Sequence, residues 1–235
     1  MTWLWNNLGL VLGLTADHAR LSAIPILVGF AASLPLGWFA SRFPAARAIL
    51  LSVFGILFTI PSLALFVSLP AVLGTRILDD ANVIVALSIY AIAMMLRGAT
   101  DAFSSVSNDV LQSATAVGYA SASRFWTVQL PLAGPVLLAT LRVVSVSTVS
   151  LLSVAALIGK GGLGYLFTNG YQRDFPEEII IGIVFTLLIA LVFDLILVTI
   201  GRILLPWSRR DPRAARSGLN SLIGSFRHSS AGPGA

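Results

Sequence analysis

The chain has 235 residues, of which 57% are hydrophobic and 11% charged, and its mean hydropathy is +0.90. Soluble domains carry roughly 25% charged residues, so this composition excludes a soluble globular protein and indicates an integral membrane protein. The net charge of +5 then indicates basic residues held at the cytoplasmic face rather than nucleic-acid binding, and the lack of cysteine excludes disulfides and thiolate metal sites.

The first predicted element is an external N-terminal segment, residues 1–18, that lies at the membrane interface. It has no basic residue before its apolar stretch and no small-residue cleavage site, so it is not a signal peptide. Leu8–Leu14 is too short to cross a bilayer, which requires about 20 residues. Trp3 and Trp5 are typical of the interface.

Five transmembrane helices follow, which predicts an all-α integral membrane protein with one membrane domain over residues 19–207. The predicted spans are Ala19–Ser41, Ala46–Pro70, Ala81–Phe103, Ala133–Ile158 and Glu178–Ile200. Pro25, Pro35 and Pro61 lie within them. Neighbouring helices can satisfy the backbone groups that proline frees, so proline does not exclude a span.

The distribution of Lys and Arg predicts the orientation, because these residues accumulate on the cytoplasmic side. Ten lie on the side of the C-terminal tail: Arg42, Arg47, Arg97, Arg124, Arg202, Arg209, Arg210, Arg213, Arg216 and Arg227. Four lie on the other side: Arg20, Arg76, Lys160 and Arg173. We therefore expect the N-terminus outside and the C-terminus in the cytoplasm. Residues 208–235 are predicted to form a basic, disordered cytoplasmic tail.

The long segment 104–131, between the third and fourth spans, is predicted to contain two short cytoplasmic helices. The first runs over about Ser107–Val117 and stops at Gly118, a natural left-handed cap. The second begins after Ser121, a plausible N-cap, and ends before Pro131. It presents Phe125 and Trp126 to the cytoplasm, where such side chains need a partner's groove or the membrane surface.

This segment resembles the loop with the Glu-Ala-Ala motif that is found in the permease subunits of binding-protein-dependent ABC importers. In that motif Glu-Ala-Ala is followed by three residues, Gly, nine residues, Ile, one residue and Leu-Pro. Gly118, Leu130 and Pro131 match at the family spacing, Ala114 keeps the second alanine and Val128 replaces Ile. Gln112 replaces Glu and Ser113 replaces the first Ala. The resemblance implies that Gln112, Ala114, Gly118, Leu130 and Pro131 couple this chain to an ATP-binding subunit. Phe125 and Trp126 are expected to bury against the same subunit, because cytoplasmic aromatic side chains on a short helix need a partner.

Two further stretches are similar to osmoprotectant importer permeases, which handle glycine betaine, choline, carnitine or proline. They are Phe58–Leu65, with its Ile-Pro-Ser-Leu-Ala run, and Ile158–Gly164, with a Gly-Gly-Leu-Gly turn. The turn also occurs in methionine importer permeases, so methionine or another amino acid is the alternative substrate. Lys160 departs from the small or apolar residue expected at its position.

The resemblance also implies the partners of the chain. They are an ATP-binding subunit that holds ATP and Mg²⁺, a second permease copy or paralogue, an external substrate-binding protein and a small-molecule substrate. The chain has no Gly-x4-Gly-Lys-Ser/Thr loop, no nucleophile–base pair and no metal-ligand spacing, so neither catalysis nor a cofactor of its own is expected. An ion-coupled secondary carrier is the rival class, but it would need more helices and a relay of carboxylates.

Arg142 and Asp194 are the two clearest charges within the predicted spans. At 1.5 Å per residue, Arg142 lies roughly 10–16 Å and Asp194 roughly 12 Å from the cytoplasmic end of its helix, and consecutive spans are antiparallel. Because an unpaired charge is unfavourable inside a bilayer, we expect a structural ion pair between them. The alternative is that one of them lines the translocation path. Pro61, Ser62 and Tyr90 are further candidates for the path.

Overall fold

A computed structural model describes residues 2–208 of the chain. The predicted tail, residues 208–235, therefore lies outside the described residues but for its first residue. The helices are α1 (Thr2–Asn6), α2 (Leu8–Arg42), α3 (Pro44–Thr59), α4 (Ser62–Leu73), α5 (Asp80–Ser104), α6 (Asn108–Ala116), α7 (Ser121–Arg124), α8 (Leu130–Leu152), α9 (Gly164–Gln172) and α10 (Pro176–Leu204). A π-helical turn, Phe125–Gln129, joins α7 to α8, and 3₁₀ turns cover Ser153–Ile158 and Pro206–Ser208.

Within residues 2–208, four helical runs are long and apolar enough to cross a membrane. They are α2, α5, the continuous run Ser121–Ile158 that contains α8, and α10. The bent pair of α3 and α4 makes a fifth span if it is counted as one. The predicted all-α membrane fold is confirmed, and its third span agrees with α5 to within one residue at each end.

The helix of the first span begins earlier than predicted. α2 starts at Leu8 and not at Ala19, so residues 8–18 form its first three turns. The helix continues past polar residues because His18 is fully buried and Arg20 pairs with Asp80 at 2.6 Å. With 35 residues, α2 is roughly 52 Å long and extends beyond a hydrocarbon core of about 30 Å.

The second span, predicted as one helix over Ala46–Pro70, is broken at its centre. α3 ends at Thr59, α4 begins at Ser62, and the two are bent by 101°. Pro61 explains the break, because proline disfavours helical geometry in the preceding residue and lacks an N–H donor. Ile60 accordingly has ψ 128°, and its carbonyl accepts a hydrogen bond from the Tyr90 hydroxyl. The expectation of an uninterrupted span was wrong at this position.

α5 is the central helix, and it packs against α2, α3, α4 and α8. The contact with α2 is close because small residues face each other along it. A Cβ added at Gly29 would lie 2.6 Å from the Cβ of Ala91, and one added at Gly37 would lie 2.6 Å from that of Ala99. Between these two points the Ser33 hydroxyl donates to the Ile92 carbonyl at 3.3 Å. This seam fixes the separation of α2 and α5.

α3 differs from the other spans because it contributes no buried residue. One side of it packs against α2 and α5, and the other side is open in the single chain. The fourth predicted span, Ala133–Ile158, is present but begins earlier, as part of the run from Ser121, and ends in the 3₁₀ turn before Gly159. The fifth corresponds to α10, which packs against α8 and α9.

Candidate functional site

The segment between α5 and α8 starts with a capped helix. The Ser107 hydroxyl accepts a hydrogen bond from the Asp109 N–H at 3.2 Å, and α6 follows to Ala116. Gly118 then adopts φ +99°, a conformation that glycine accepts and that β-branched residues strongly disfavour. No atom lies within 4 Å of a Cβ added at Gly118, so the requirement for glycine here comes from the backbone alone.

The second helix of the segment does not end before Pro131 as predicted. α7 begins with Ser121 itself, so Ala120 occupies the N-cap position without a side-chain capping bond, and the helix continues through the π-helical turn into α8 without a break. The Leu130 N–H donates to the Phe125 carbonyl, which shifts the hydrogen-bond register by one residue just before Pro131. This shift accommodates the proline, so the segment is continuous with a membrane helix.

Aromatic side chains attach the segment to α2 and α5. The Phe125 ring lies 5.7 Å from both Trp38 and Phe103, and the Trp38 indole N–H donates to Oε1 of the buried Gln129 at 3.1 Å. The Trp126 ring meets the edge of Phe125 with the ring centroids 5.1 Å apart, but it lies at the outside of the cluster and is 65% exposed. Phe125 is therefore an internal anchor, whereas Trp126 is available to a partner; successive helical residues point in different directions.

The other predicted coupling residues also divide into buried and exposed ones. Ala114 is buried, Leu130 packs against the core, and Pro131 is half-buried, whereas Gln112 and Gly118 are exposed. Two apolar residues beside them, Val117 and Tyr119, are also exposed, Val117 by 80%. We call the exposed set the coupling surface: Gln112, Val117, Gly118, Tyr119 and Trp126. Sequence reasoning missed Val117 and Tyr119, although both flank the glycine turn that it identified.

Arg142 and Asp194 lie in direct contact. The guanidinium of Arg142 makes two parallel hydrogen bonds to the carboxylate, from Nε to Oδ1 at 2.5 Å and from Nη2 to Oδ2 at 2.8 Å. The pair joins α8 to α10, and its side chains are 44% and 26% exposed in the single chain. A bidentate pair of this kind is the strongest and most directional form of salt bridge. Its contribution to folding stays a prediction.

The three other path candidates lie around the break between α3 and α4. Pro61 forms the break, Ser62 is the first residue of α4, and Tyr90 is buried with its hydroxyl bound to the Ile60 carbonyl. The Tyr90 ring lies 5.7 Å from that of Phe58. In this conformation the three residues shape the bend, and Tyr90 does not face an open groove.

The Gly-Gly-Leu-Gly turn docks on a buried histidine. Gly162, at φ +48°, lies so close to α2 that an added Cβ would be 2.7 Å from the His18 Cβ. The Leu163 N–H donates to His18 Nδ1 at 3.3 Å, so Nε2 carries the hydrogen and donates to the Val149 carbonyl at 3.0 Å. The turn therefore joins α2 to α8. His18 serves as a structural connector here.

Lys160, whose role the sequence left open, has a carboxylate partner at the same end of the molecule. Its Nζ lies 2.5 Å from Oδ1 of Asp80, and the other oxygen of Asp80 accepts from Arg20 at 2.6 Å. The three side chains link α2, α5 and the loop after α8. Lys160 thus adds an ionic contact beside the glycine turn.

Comparison with known proteins places this geometry in context. Residues 33–210 match the family model described as binding-protein-dependent transport system inner membrane component. The choline transport system permease protein OpuBB of Bacillus subtilis is 32% identical over 207 residues, which are 87% of this chain and 93% of that protein. The glycine betaine/carnitine/choline transport system permease protein OpuCB of the same organism is 31% identical, over 88% and 94% of the two chains.

A more distant relative and a solved structure agree with this match. The osmoprotectant import permease protein OsmW of Salmonella typhimurium is 28% identical over 87% of this chain and 96% of its own. The inward-facing MetNI methionine ABC transporter contains a chain that superimposes with a TM-score of 0.66 at 19% identity, covering 82% of this chain and 96% of that chain. This structural likeness supports the fold.

Proposed function

The chain belongs to the family of binding-protein-dependent transport system inner membrane components, and we propose that it forms the translocation path of an ATP-driven osmoprotectant importer. The relatives named for choline, glycine betaine and carnitine transport support substrates of this class. The observation that carries the proposal is the coupling surface, because its exposed Trp126, Val117 and Tyr119 are apolar side chains of the kind that fill a groove in a partner protein. We propose that this partner is the ATP-binding subunit.

The anchoring of the coupling surface explains how motion of the ATP-binding subunit would reach the membrane. α7 and the π-helical turn are continuous with α8, so they move as one piece with it. The bond between Trp38 and Gln129 and the packing of Phe125 tie the same segment to α2 and α5. A displacement of the coupling surface would therefore change the positions of three spans together. This is the mechanical link that alternating access requires.

The remaining parts of the importer are supplied by other chains. We propose that ATP and Mg²⁺ are held by the partner subunit and that an external binding protein delivers the substrate. A second permease copy or paralogue would cover the open side of α3. Methionine or another amino acid remains the alternative substrate.

Uptake into membrane vesicles tests this function. We expect uptake of glycine betaine or choline to require ATP, and to fall about tenfold or more in a Gly118→Val, Trp126→Ala double variant that still inserts into the membrane. The reason is that the valine strains a turn at φ +99° and the alanine removes the exposed anchor.

The matched control is Gly74→Val with Trp5→Ala. Gly74 also has a positive φ, +67°, with no atom within 4 Å of an added Cβ, and Trp5 is 73% exposed in α1. This control also places valine at a positive φ and also removes an exposed indole, but it does so outside the coupling surface. We expect it to retain most of its ATP-driven uptake. Normal uptake by the Gly118→Val, Trp126→Ala variant, or equal losses in both, would reject the coupling assignment.

Orientation is tested separately with reporters. We propose that the N-terminus is external and the C-terminus cytoplasmic, because the basic residues favour that arrangement. A reporter fused after Ala235 should be active only in the cytoplasm, and one fused before Thr2 only outside. The reverse result would place the coupling surface on the wrong side for an ATP-binding subunit.

A further inference from the structure

We propose that Arg97 binds the carboxylate of a zwitterionic quaternary-ammonium substrate in an open groove between α3, α5 and α8. This inference rests on the proposed function and adds to it the chemical form of the substrate. It also assigns a role to a residue that the sequence analysis had counted, with Arg124, as a cytoplasmic basic residue.

Arg97 is a charge inside a span. It lies in α5, seven residues before the helix ends at Ser104, which is roughly 10 Å along the axis. Its side chain is exposed in the single chain and has no hydrogen bond or ion pair to any residue of the range 2–208. A cation at this depth is unfavourable unless an anion or water meets it, so it is a candidate for function.

The carboxylate that could neutralise Arg97 is already engaged. Asp101 lies one turn along α5, at the spacing that favours an ion pair. It instead accepts a hydrogen bond from Arg47, at the start of α3, at 3.0 Å. Arg97 is thus left with its charge directed to the space beside the helix.

That space is a groove with two adjoining hollows of ≈ 700 and ≈ 400 Å³. Both are lined by Arg97 and by Leu51 and Gly55 of α3. Gly55 widens the groove because it has no side chain. On the opposite wall Thr140 of α8 lies against Gly98, where helix backbones approach closely beside Arg97.

The smaller hollow also holds aromatic rings. Phe54 and Phe58 lie about one turn apart on α3 and line it together with Arg97, and Phe58 is 46% exposed. Aromatic faces attract quaternary ammonium groups, and a guanidinium attracts carboxylates. Together they complement a molecule with an ammonium at one end and a carboxylate at the other. A quaternary ammonium without a carboxylate gains nothing from Arg97.

Two other anions could meet Arg97, a lipid phosphate or a carboxylate of the second permease copy. A contact of Arg97 with either of these anions would stabilise the assembly, so its loss would lower the uptake of every substrate by the same factor. A contact with the substrate alone makes the consequence of removing Arg97 depend on whether that substrate carries a carboxylate. This difference separates the explanations.

The experiment uses the complete importer, with its ATP-binding subunit and binding protein, in proteoliposomes. The variants are Arg97→Gln, which removes the charge, and Arg97→Lys, which keeps it. Uptake of glycine betaine and carnitine is compared with uptake of choline, each divided by the amount of assembled complex, and stimulated ATP hydrolysis is recorded. We expect Arg97→Gln to lower uptake of the two zwitterions at least about tenfold, the effect of losing one charge-assisted hydrogen bond. Choline uptake and ATP hydrolysis should be retained, and Arg97→Lys should lie between.

The outcomes separate this inference from the function on which it rests. Unchanged zwitterion uptake in Arg97→Gln, an equal loss for choline and zwitterions, or an equal loss in both variants would overturn the role of Arg97 alone. So would a wild-type importer that carries choline but no zwitterion. If the wild-type importer carries none of the three compounds, the proposed osmoprotectant function fails.

Discussion

Reversing the charge of Arg142 should strongly reduce the amount of folded protein in the membrane. In Arg142→Asp, two carboxylates would face each other where a bidentate ion pair now joins α8 to α10. Charges at this depth are unfavourable even singly, and a like-charged pair adds repulsion, so we expect at least about a tenfold loss of folded protein. Asp194→Arg should behave in the same way. The measurement is the yield of monodisperse protein after membrane extraction, with thermal unfolding of what remains.

The double swap, Arg142→Asp with Asp194→Arg, should restore most of the yield, because it rebuilds the pair with its direction reversed. Arg76→Asp is the control for charge reversal itself, since Arg76 is exposed in the loop between α4 and α5. If the single variants fold normally and lose only transport, the pair has a functional rather than a structural role. Failure of the double swap to restore folding would show that the two positions are not interchangeable.

The ion pair shows what could be inferred from sequence alone. Its two residues could be matched because depth follows from counting residues along antiparallel helices, and charges at equal depth have reason to meet. The same counting could have found Arg97, which also falls within the predicted span Ala81–Phe103. It was assigned to the cytoplasmic side instead. Only the structure shows that Asp101, its natural partner by spacing, pairs with Arg47.

The two helix boundaries that were predicted wrongly, the start of α2 and the break at Pro61, depend on tertiary contacts that composition does not reveal. The start of α2 was placed too late because Asp17, His18 and Arg20 lower the local hydropathy, whereas the tertiary contacts of His18 and Arg20 allow the helix to continue. Pro61 breaks its span although Pro25 and Pro35 lie within a continuous α2. The sequence pattern around these prolines does not separate a tolerated proline from a break. Whether neighbours re-satisfy the freed backbone groups decides it.

The coupling segment was predictable in its position and turn but not in its orientation. Gly118 and the flanking helix could be identified because a left-handed residue after a helix strongly favours glycine. Phe125 packs against the core while its neighbour Trp126 is exposed, and the π-helical turn that contains both residues sets their position relative to α8. A π turn has no clear signature in a single sequence.

Replacing Gly37 by leucine should be as damaging as the charge reversal, for a different reason. Even a Cβ at this position would lie 2.6 Å from the Ala99 Cβ and 3.0 Å from the backbone nitrogen of Thr100. Because the obstacle includes the backbone, rotation of a side chain cannot relieve it, and α2 and α5 must separate. Overpacking typically costs about 1–3 kcal/mol, and separating two central helices places Gly37→Leu at about 3 kcal/mol or more. The free energy of unfolding in mixed micelles measures this cost.

Gly13→Leu provides the matched control, because the same substitution is made in the same helix. An added Cβ at Gly13 meets no atom within 4 Å, and leucine favours a helix more than glycine does. We therefore expect Gly13→Leu to change the stability by less than about 0.5 kcal/mol or to raise it slightly. Gly37→Ala should fall between the two leucine variants, since its Cβ alone already meets Ala99. Equal stabilities of Gly13→Leu and Gly37→Leu would mean that the close seam between α2 and α5 does not hold the fold together. A loss confined to Gly37 would show that the seam depends on the absence of a side chain at the point where the two helix backbones approach.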